Sequence, residues 1–211
     1  MNILQRLFFI LIVRPLTHIV MGMNVRHRER LPTCGPAIVV ANHNSHLDTL
    51  VLMTLFPLRL LPRLRPVAAA DYFCRGGFRE FFARTMIHII PMKRHPHPGQ
   101  DPFIEVDAAL TRGDIVILFP EGTRGKPETF KELRSGIAHL AKRHPAVPVV
   151  PIFLHGLGKA LPQGEALLVP FFCDVFIGDP IPWGGDRDQF MRQLEATFHT
   201  LANEGHRPEW I

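Results

Sequence analysis

Short apolar runs alternate along the chain with longer stretches in which apolar residues recur at helical spacing. Residues 37–41, Ala-Ile-Val-Val-Ala, read as a buried strand opened by the turn Cys34-Gly35-Pro36. Residues 49–56 read as a helix ended by Pro57, 65–70 as a strand, and 78–85 as a Phe-rich helix. Residues 87–90 are strand-like and stopped by Pro91; 103–112 form a helix with Gly113 just past its end. Residues 115–119 are the clearest buried strand. A helix at 135–144, a strand at 147–153, two β segments within 167–177 and an amphipathic helix at 188–203 complete the pattern. Strands alternating with helices predict a single α/β domain with a largely parallel central sheet flanked by helices.

The amino-terminal end departs from that alternation. Leu7 to Val13 is a seven-residue apolar run between Arg6 and Arg14. A bilayer crossing needs about 20 apolar residues, and no small-residue cleavage site follows the run. Residues 1–25 are therefore expected to form an amphipathic, membrane-associating helix, set apart from a domain at 26–211. In that reading Phe8, Phe9 and Ile12 enter the acyl boundary, with Arg6 and Arg14 near lipid phosphates. The alternative is a helix packed on the domain's own core. Both place the protein on the cytoplasmic side, peripheral or monotopic if membrane-bound.

With 211 residues, 46% of them hydrophobic and 20% charged, the composition excludes a disordered tail or a disulfide-stapled miniprotein. Three cysteines without Cys-x-x-Cys spacing argue against a zinc ribbon and fit a reducing compartment. The net charge of +5 hides a split: residues 1–100 carry a net of +9 and residues 101–211 a net of −4. A basic half calls for an anionic partner, whether nucleic acid, a membrane surface or a phosphorylated substrate. Arg26, His27, Arg28 and Arg30 lack interleaved aromatics or a nucleic-acid motif, so no nucleic acid is expected.

Two segments carry candidate chemistry. Asn42-His43-Asn44-Ser45-His46-Leu47-Asp48 follows the strand at 37–41. A His can take a proton near neutral pH while a carboxylate fixes its tautomer. The same Ser45-x-x-Asp48 spacing also reads as a helix cap, which would make Asp48 structural. His-x-x-His-x-Asp matches no zinc spacing, so no metal is expected. The second segment, Phe119-Pro120-Glu121-Gly122-Thr123-Arg124, ends the strand at 115–119. Ligands gather at the carboxyl ends of parallel strands; Gly122 permits close backbone approach, and Thr123 and Arg124 suit an oxyanion. A strand-ending turn with a solvated Arg is the plainer alternative.

Together, Asn42-His43-x-Ser45-x-x-Asp48 and Phe119-Pro120-Glu121-Gly122-Thr123-Arg124 resemble the signature motifs of the glycerolipid acyltransferases, best known from the lysophosphatidic acid acyltransferases. Ile90-Pro91-Met92-Lys93-Arg94 resembles the second family motif and Val149-Val150-Pro151-Ile152 the fourth, with Phe130-Lys131 and Ser135-Gly136 similar to the segment after the third. The likeness runs from about Leu31 to Ile181. It implies His43 as general base, with Asp48 orienting it. It also implies glycerophosphate binding by Arg94, Glu121, Gly122, Thr123 and Arg124, with Pro151 on the acyl-donor side.

The implied reaction moves an acyl group from acyl-CoA or acyl carrier protein to the free hydroxyl of a lysophospholipid, foremost 1-acyl-sn-glycerol 3-phosphate. No cofactor is implied. Glycerol 3-phosphate, another lysophospholipid or a lyso-aminolipid as acceptor, and a non-catalytic lipid-binding protein, are the alternatives. The chain departs from the family pattern at His88, where Gly is usual, at Lys93, and at Gly125, where Ser is common. These departures leave the acceptor's head group open.

Overall fold

Five consecutive apolar residues make Ala37–Ala41 (β2) a strand without a polar face, and such a strand belongs inside a sheet covered on both sides. The computed structural model, which describes residues 3–45, 47–70, 77–93, 99–122, 132–157 and 173–204, places it there. The other strands are Asn24–Arg26 (β1), Leu64–Ala69 (β3), Ile90–Met92 (β4), Ile115–Leu118 (β5), Val149–His155 (β6) and Asp174–Ile177 (β7). They form one sheet in the order β1-β7-β6-β2-β5-β3-β4, parallel throughout except for the β6–β7 pair.

Side chains alternate across β2, so its two faces seed two cores. Ala37, Val39 and Ala41 pack with Asp48–Thr54 (α2) and the amino-terminal helix, around Leu52, Ile115, Ile117, Ile152 and Leu154. Ile38 and Val40 face Ile104–Thr111 (α4), Gly136–Arg143 (α5) and Arg187–Glu204 (α6), through Val106, Leu110, Leu140, Phe190, Leu194 and Phe198. The predicted α/β architecture is the observed one.

Three local expectations are corrected. The first concerns residues 87–90, of which only Ile90 belongs to a strand. The helix Gly77–Phe82 (α3) continues as a wide π-type turn through Ala83–Ile87, and β4 begins only at Ile90 and runs through Pro91. Proline is tolerated because β4 is an edge strand, paired with β3 alone.

The second concerns the apolar run at residues 7–13, judged too short for a bilayer crossing: it lies within a longer amino-terminal helix (α1) that runs from Ile3 to Val20. Its turns widen to π type at Phe9–Val13 and Leu16–Val20, and Pro15 sits between them. With 18 residues and a mean hydropathy of 1.6, it meets the length and composition of a membrane span.

The third concerns which side of α1 faces the domain. Gln5, Phe9, Val13 and Thr17, four apart, are buried against it. Phe9 is 0% exposed, and Arg14 donates to the Phe56 carbonyl at 3.2 Å, its pKa lowered by burial and by Arg28. Neither faces lipid. Ile3, Leu4, Leu7, Leu11, Ile12 and Ile19 form the exposed apolar side instead.

Three of the basic residues at 26–30 are tied to other parts of the fold. Arg28 donates to the Leu55 carbonyl, Arg30 to the Ile177 carbonyl and Asp179, and His27 contacts Glu204. Among the Phe-rich helix residues, Phe82 packs edge-on to Phe8 at 5.2 Å while Phe81 is exposed.

Candidate active site

Both motif segments leave the sheet at the same end. β2 and β5 are adjacent and parallel, with Val40 opposite Leu118, so the residues after Ala41 and after Leu118 emerge side by side. The chain turns after Ala41 and enters α2 at Asp48. That turn closes the distance a continuous helix would have left between positions five apart. His43 Nδ1 lies 2.9 Å from Asp48 Oδ2.

Asp48 is wholly buried, and its Oδ2 also accepts the backbone N–H groups of Asn44 at 2.7 Å and Ser45 at 2.8 Å. Ser45 Oγ accepts the N–H of Leu47. The capping alternative and the dyad alternative are thus one structure: the carboxylate that ties down the turn is the one that holds the imidazole. A carboxylate only accepts, so Nδ1 carries the proton and Nε2 presents a lone pair. The His43 side chain keeps 23% of its surface exposed.

The rest of His43 is held from three sides. Its backbone N–H donates to Glu121 Oε1 at 3.1 Å, across from the end of β5. Its ring stacks on Phe119, with centroids 4.2 Å apart and planes 25° from parallel. The preceding Asn42, 1% exposed, exchanges two hydrogen bonds with the backbone of Leu154 in β6.

Glu121 is expected among the glycerophosphate contacts. In the structure it is 4% exposed and faces the His43 backbone. Gly122 adopts φ 72°, and a Cβ there would fall 2.4 Å from Nε of Arg134, whose guanidinium covers the turn. Thr123, Arg124 and Arg94 lie outside the described residues. Pro151 is buried in the body of β6 opposite Val40 and packs against Gly178. Among the described residues no three His, Cys, Asp or Glu side chains gather as a metal site.

Sequence reasoning assigned no role to Asn42, Phe119 or Arg134. Asn42 and Phe119 flank the motif cores in plain view, but what they contact is set by β6 and by the His43 ring. Arg134 reaches the site through its N–H bond to the Pro120 carbonyl, a contact no spacing rule anticipates.

The Acyltransferase family model matches residues 22–155, which include the dyad, β2 to β6 and both motif turns. The chain belongs to the acyltransferase family. A chloroplastic 1-acyl-sn-glycerol-3-phosphate acyltransferase of Arabidopsis thaliana is 31% identical over 171 residues, covering 75% of this chain and 43% of its own. The 1-acyl-sn-glycerol-3-phosphate acyltransferase alpha of Bos taurus is 29% identical over 192 residues, covering 87% of this chain and 65% of its own.

This acyltransferase-family chain therefore spans between two-fifths and two-thirds of the length of those relatives. The crystal structure of the 1-acyl-sn-glycerophosphate acyltransferase PlsC from Thermotoga maritima superposes with a TM-score of 0.72 over 90% of this chain and 73% of that one. At 20% identity, that likeness shows a shared fold.

Proposed function

We propose that the protein transfers a fatty acyl group from an acyl thioester, acyl-CoA or acyl carrier protein, to the free hydroxyl of a lysophospholipid. The acceptor is foremost 1-acyl-sn-glycerol 3-phosphate, giving phosphatidate. The observation that carries this reading is the His43–Asp48 contact of 2.9 Å, on an imidazole whose side chain is partly exposed. The named relatives, which are lysophosphatidic acid acyltransferases, support the choice of acceptor.

In this mechanism His43 Nε2 removes the proton of the acceptor hydroxyl as its oxygen attacks the thioester carbonyl carbon. The new C–O bond forms and the C–S bond breaks. The departing thiolate takes the proton from the imidazolium and leaves as free thiol. Asp48 steadies the imidazolium while it exists. Arg94, Thr123 and Arg124 are assigned to the glycerophosphate by their motif positions, with Gly122 opening the backbone beside them. Pro151 stays with the acyl-donor side. The exposed apolar side of α1 rests on the membrane surface, at its cytoplasmic face.

The test is release of free thiol from acyl-CoA and from acyl carrier protein against a panel of lysophospholipids and glycerol 3-phosphate. Lysophosphatidate should give the highest kcat/KM, and His43→Ala should lower turnover by about 10²–10⁴. Full activity in that variant, or vesicle binding with no thiol released from either donor, would discard the reading.

A further inference from the structure

His88 has a backbone at φ 58° and ψ 43°, the left-handed region that a glycine enters freely and a side chain enters at a cost. An imidazole kept there needs a reason, and its surroundings supply one. His88 lines a cleft of about 380 Å³ together with Arg65, Arg84, Arg112, Glu105 and Ile90. That volume lies within the range of about 300–1,000 Å³ found for small-ligand sites.

The cleft is not the dyad's. Arg65 sits opposite Val116, toward the amino ends of the strands and on the α4 face, whereas His43 follows the carboxyl end of β2 and pairs with α2 on the other face. Three arginines line it from three elements: Arg65 from β3, Arg84 from the π-type turn and Arg112 from the end of α4. Arg65 and Arg112 are both fixed by one oxygen, Asp114 Oδ2, at 3.2 and 3.3 Å. Arg65 also donates to the Leu64 carbonyl at 3.4 Å, and these contacts do not exhaust the five N–H donors that each guanidinium carries.

Arg84 is steadied by Glu80 one helical turn earlier. Glu80, Glu105 and Asp114 match the three arginines in number, so selection rests on directed donors and not on a large net field. On the far side, Gln5 of α1 is wholly buried, donates to the Met86 carbonyl at 2.9 Å and lies 3.5 Å from His88 Nδ1. The cleft therefore adjoins the helix whose outer side is apolar.

We propose that this cleft is a second ligand site, distinct from the His43 centre, which takes a phosphate group through Arg65, Arg84 and Arg112 with His88 as its fourth wall. The phosphate comes either from the headgroup of an anionic lipid in the surface that α1 rests on, or from free phosphate. Planar guanidinium donors suit phosphate oxygens, and Ile90 offers the apolar contact a lipid's glycerol end requires.

The experiment uses the full chain, with Arg84→Gln/Arg112→Gln as one variant and His88→Gly as a second that relaxes the backbone while removing the imidazole. One arm measures thermal protection by inorganic phosphate against chloride at matched ionic strength. The other measures flotation with phosphatidylcholine vesicles with and without phosphatidylglycerol. The double variant should lose about fivefold or more of the wild-type preference in the arm that carries the ligand. Loss confined to flotation identifies the lipid headgroup, loss confined to thermal protection identifies free phosphate, and loss in both admits both sources.

The proposal is overturned if the wild type shows neither preference. It is equally overturned if the double variant and His88→Gly match the wild type in both arms. Neither arm reads acyl transfer, and His43→Ala should behave as wild type in each. Failure here is thereby separated from failure of the acyltransferase reading.

Discussion

Asn42 and Leu154 exchange two hydrogen bonds through a side chain: Leu154 N–H donates to Asn42 Oδ1 at 2.7 Å, and Asn42 Nδ2 donates to the Leu154 carbonyl at 2.9 Å. A carboxamide offers the same donor and acceptor pair as a peptide group, so Asn42 extends the β2–β6 ladder past Ala41, up to the residue before His43. The sheet's rigidity reaches the imidazole through that rung.

Asn42→Ala leaves the Leu154 N–H and carbonyl buried without partners, each at a cost of about 1–3 kcal/mol. Lower Tm and lower kcat, with the acceptor KM little changed, are expected. Asn42→Asp restores only the acceptor half and sets a carboxylate against the Leu154 carbonyl, so it should rescue neither. A folded Asn42→Ala protein with normal kcat would show that His43 holds its place without this rung.

Asp48→Asn tests the shared oxygen. Oδ2 serves the imidazole and two backbone N–H groups at once. An uncharged amide no longer stabilises an imidazolium, and a kcat loss of about 10²–10⁴ is expected. Because Asn can still accept from the backbone, Tm should fall less than in Asp48→Ala. Comparing thermal melts with turnover for the two variants separates the cap from the catalyst; equal turnover in Asp48→Asn and wild type would remove Asp48 from catalysis.

Gly122→Ala places a Cβ 2.4 Å from Nε of Arg134 at φ 72°, so the guanidinium must move off the turn and the backbone is strained by about 1 kcal/mol or more. The turn leads directly into Thr123 and Arg124. A higher acceptor KM with a smaller change in kcat is the expected result, read from initial rates at varied lysophosphatidate. An unchanged KM would detach this turn from acceptor binding.

His88 supplies a pH dependence whose sign follows from its surroundings. Burial first, then the charge of Arg65, lower its pKa from the ordinary 6.5. The unfolded chain takes up the proton near pH 6.5 and the folded chain only at lower pH. Between those values protonation favours the unfolded state, and stability falls as pH falls through that window. Tm measured from pH 7.5 down to 5 should drop more steeply in wild type than in His88→Gly. Identical slopes would mean that the imidazole is as easily protonated in the folded state as in the unfolded one.

The fold was legible wherever burial imposes a pattern. Ala37–Ala41 and Ile115–Leu118 emerge as strands within a residue of expectation, because a doubly covered strand must be apolar at every position. Expectation failed where the backbone departs from regular geometry. Residues 83–87 widen into a π-type turn and displace β4 past His88, and two such turns carry the apolar helix α1 well beyond the run at 7–13. Neither leaves a periodic trace. The three-residue strand β1 was missed for the same reason; it is too short to show alternation.

The sequence by itself determined the family-bearing residues His43 and Asp48, the parallel α/β alternation, and an apolar amino-terminal segment unlike the rest. These are local properties: residue chemistry at fixed spacing, and hydrophobicity set by burial. Tertiary structure alone decided that one carboxylate oxygen serves both cap and dyad, that Glu121 faces the His43 backbone, and that Phe9 turns inward while Ile3 and Leu7 turn out. Each depends on contacts between residues far apart in the chain. In sequence Asn42 and Leu154 are separated by 112 positions, and only the β2–β6 pairing brings them within hydrogen-bond distance.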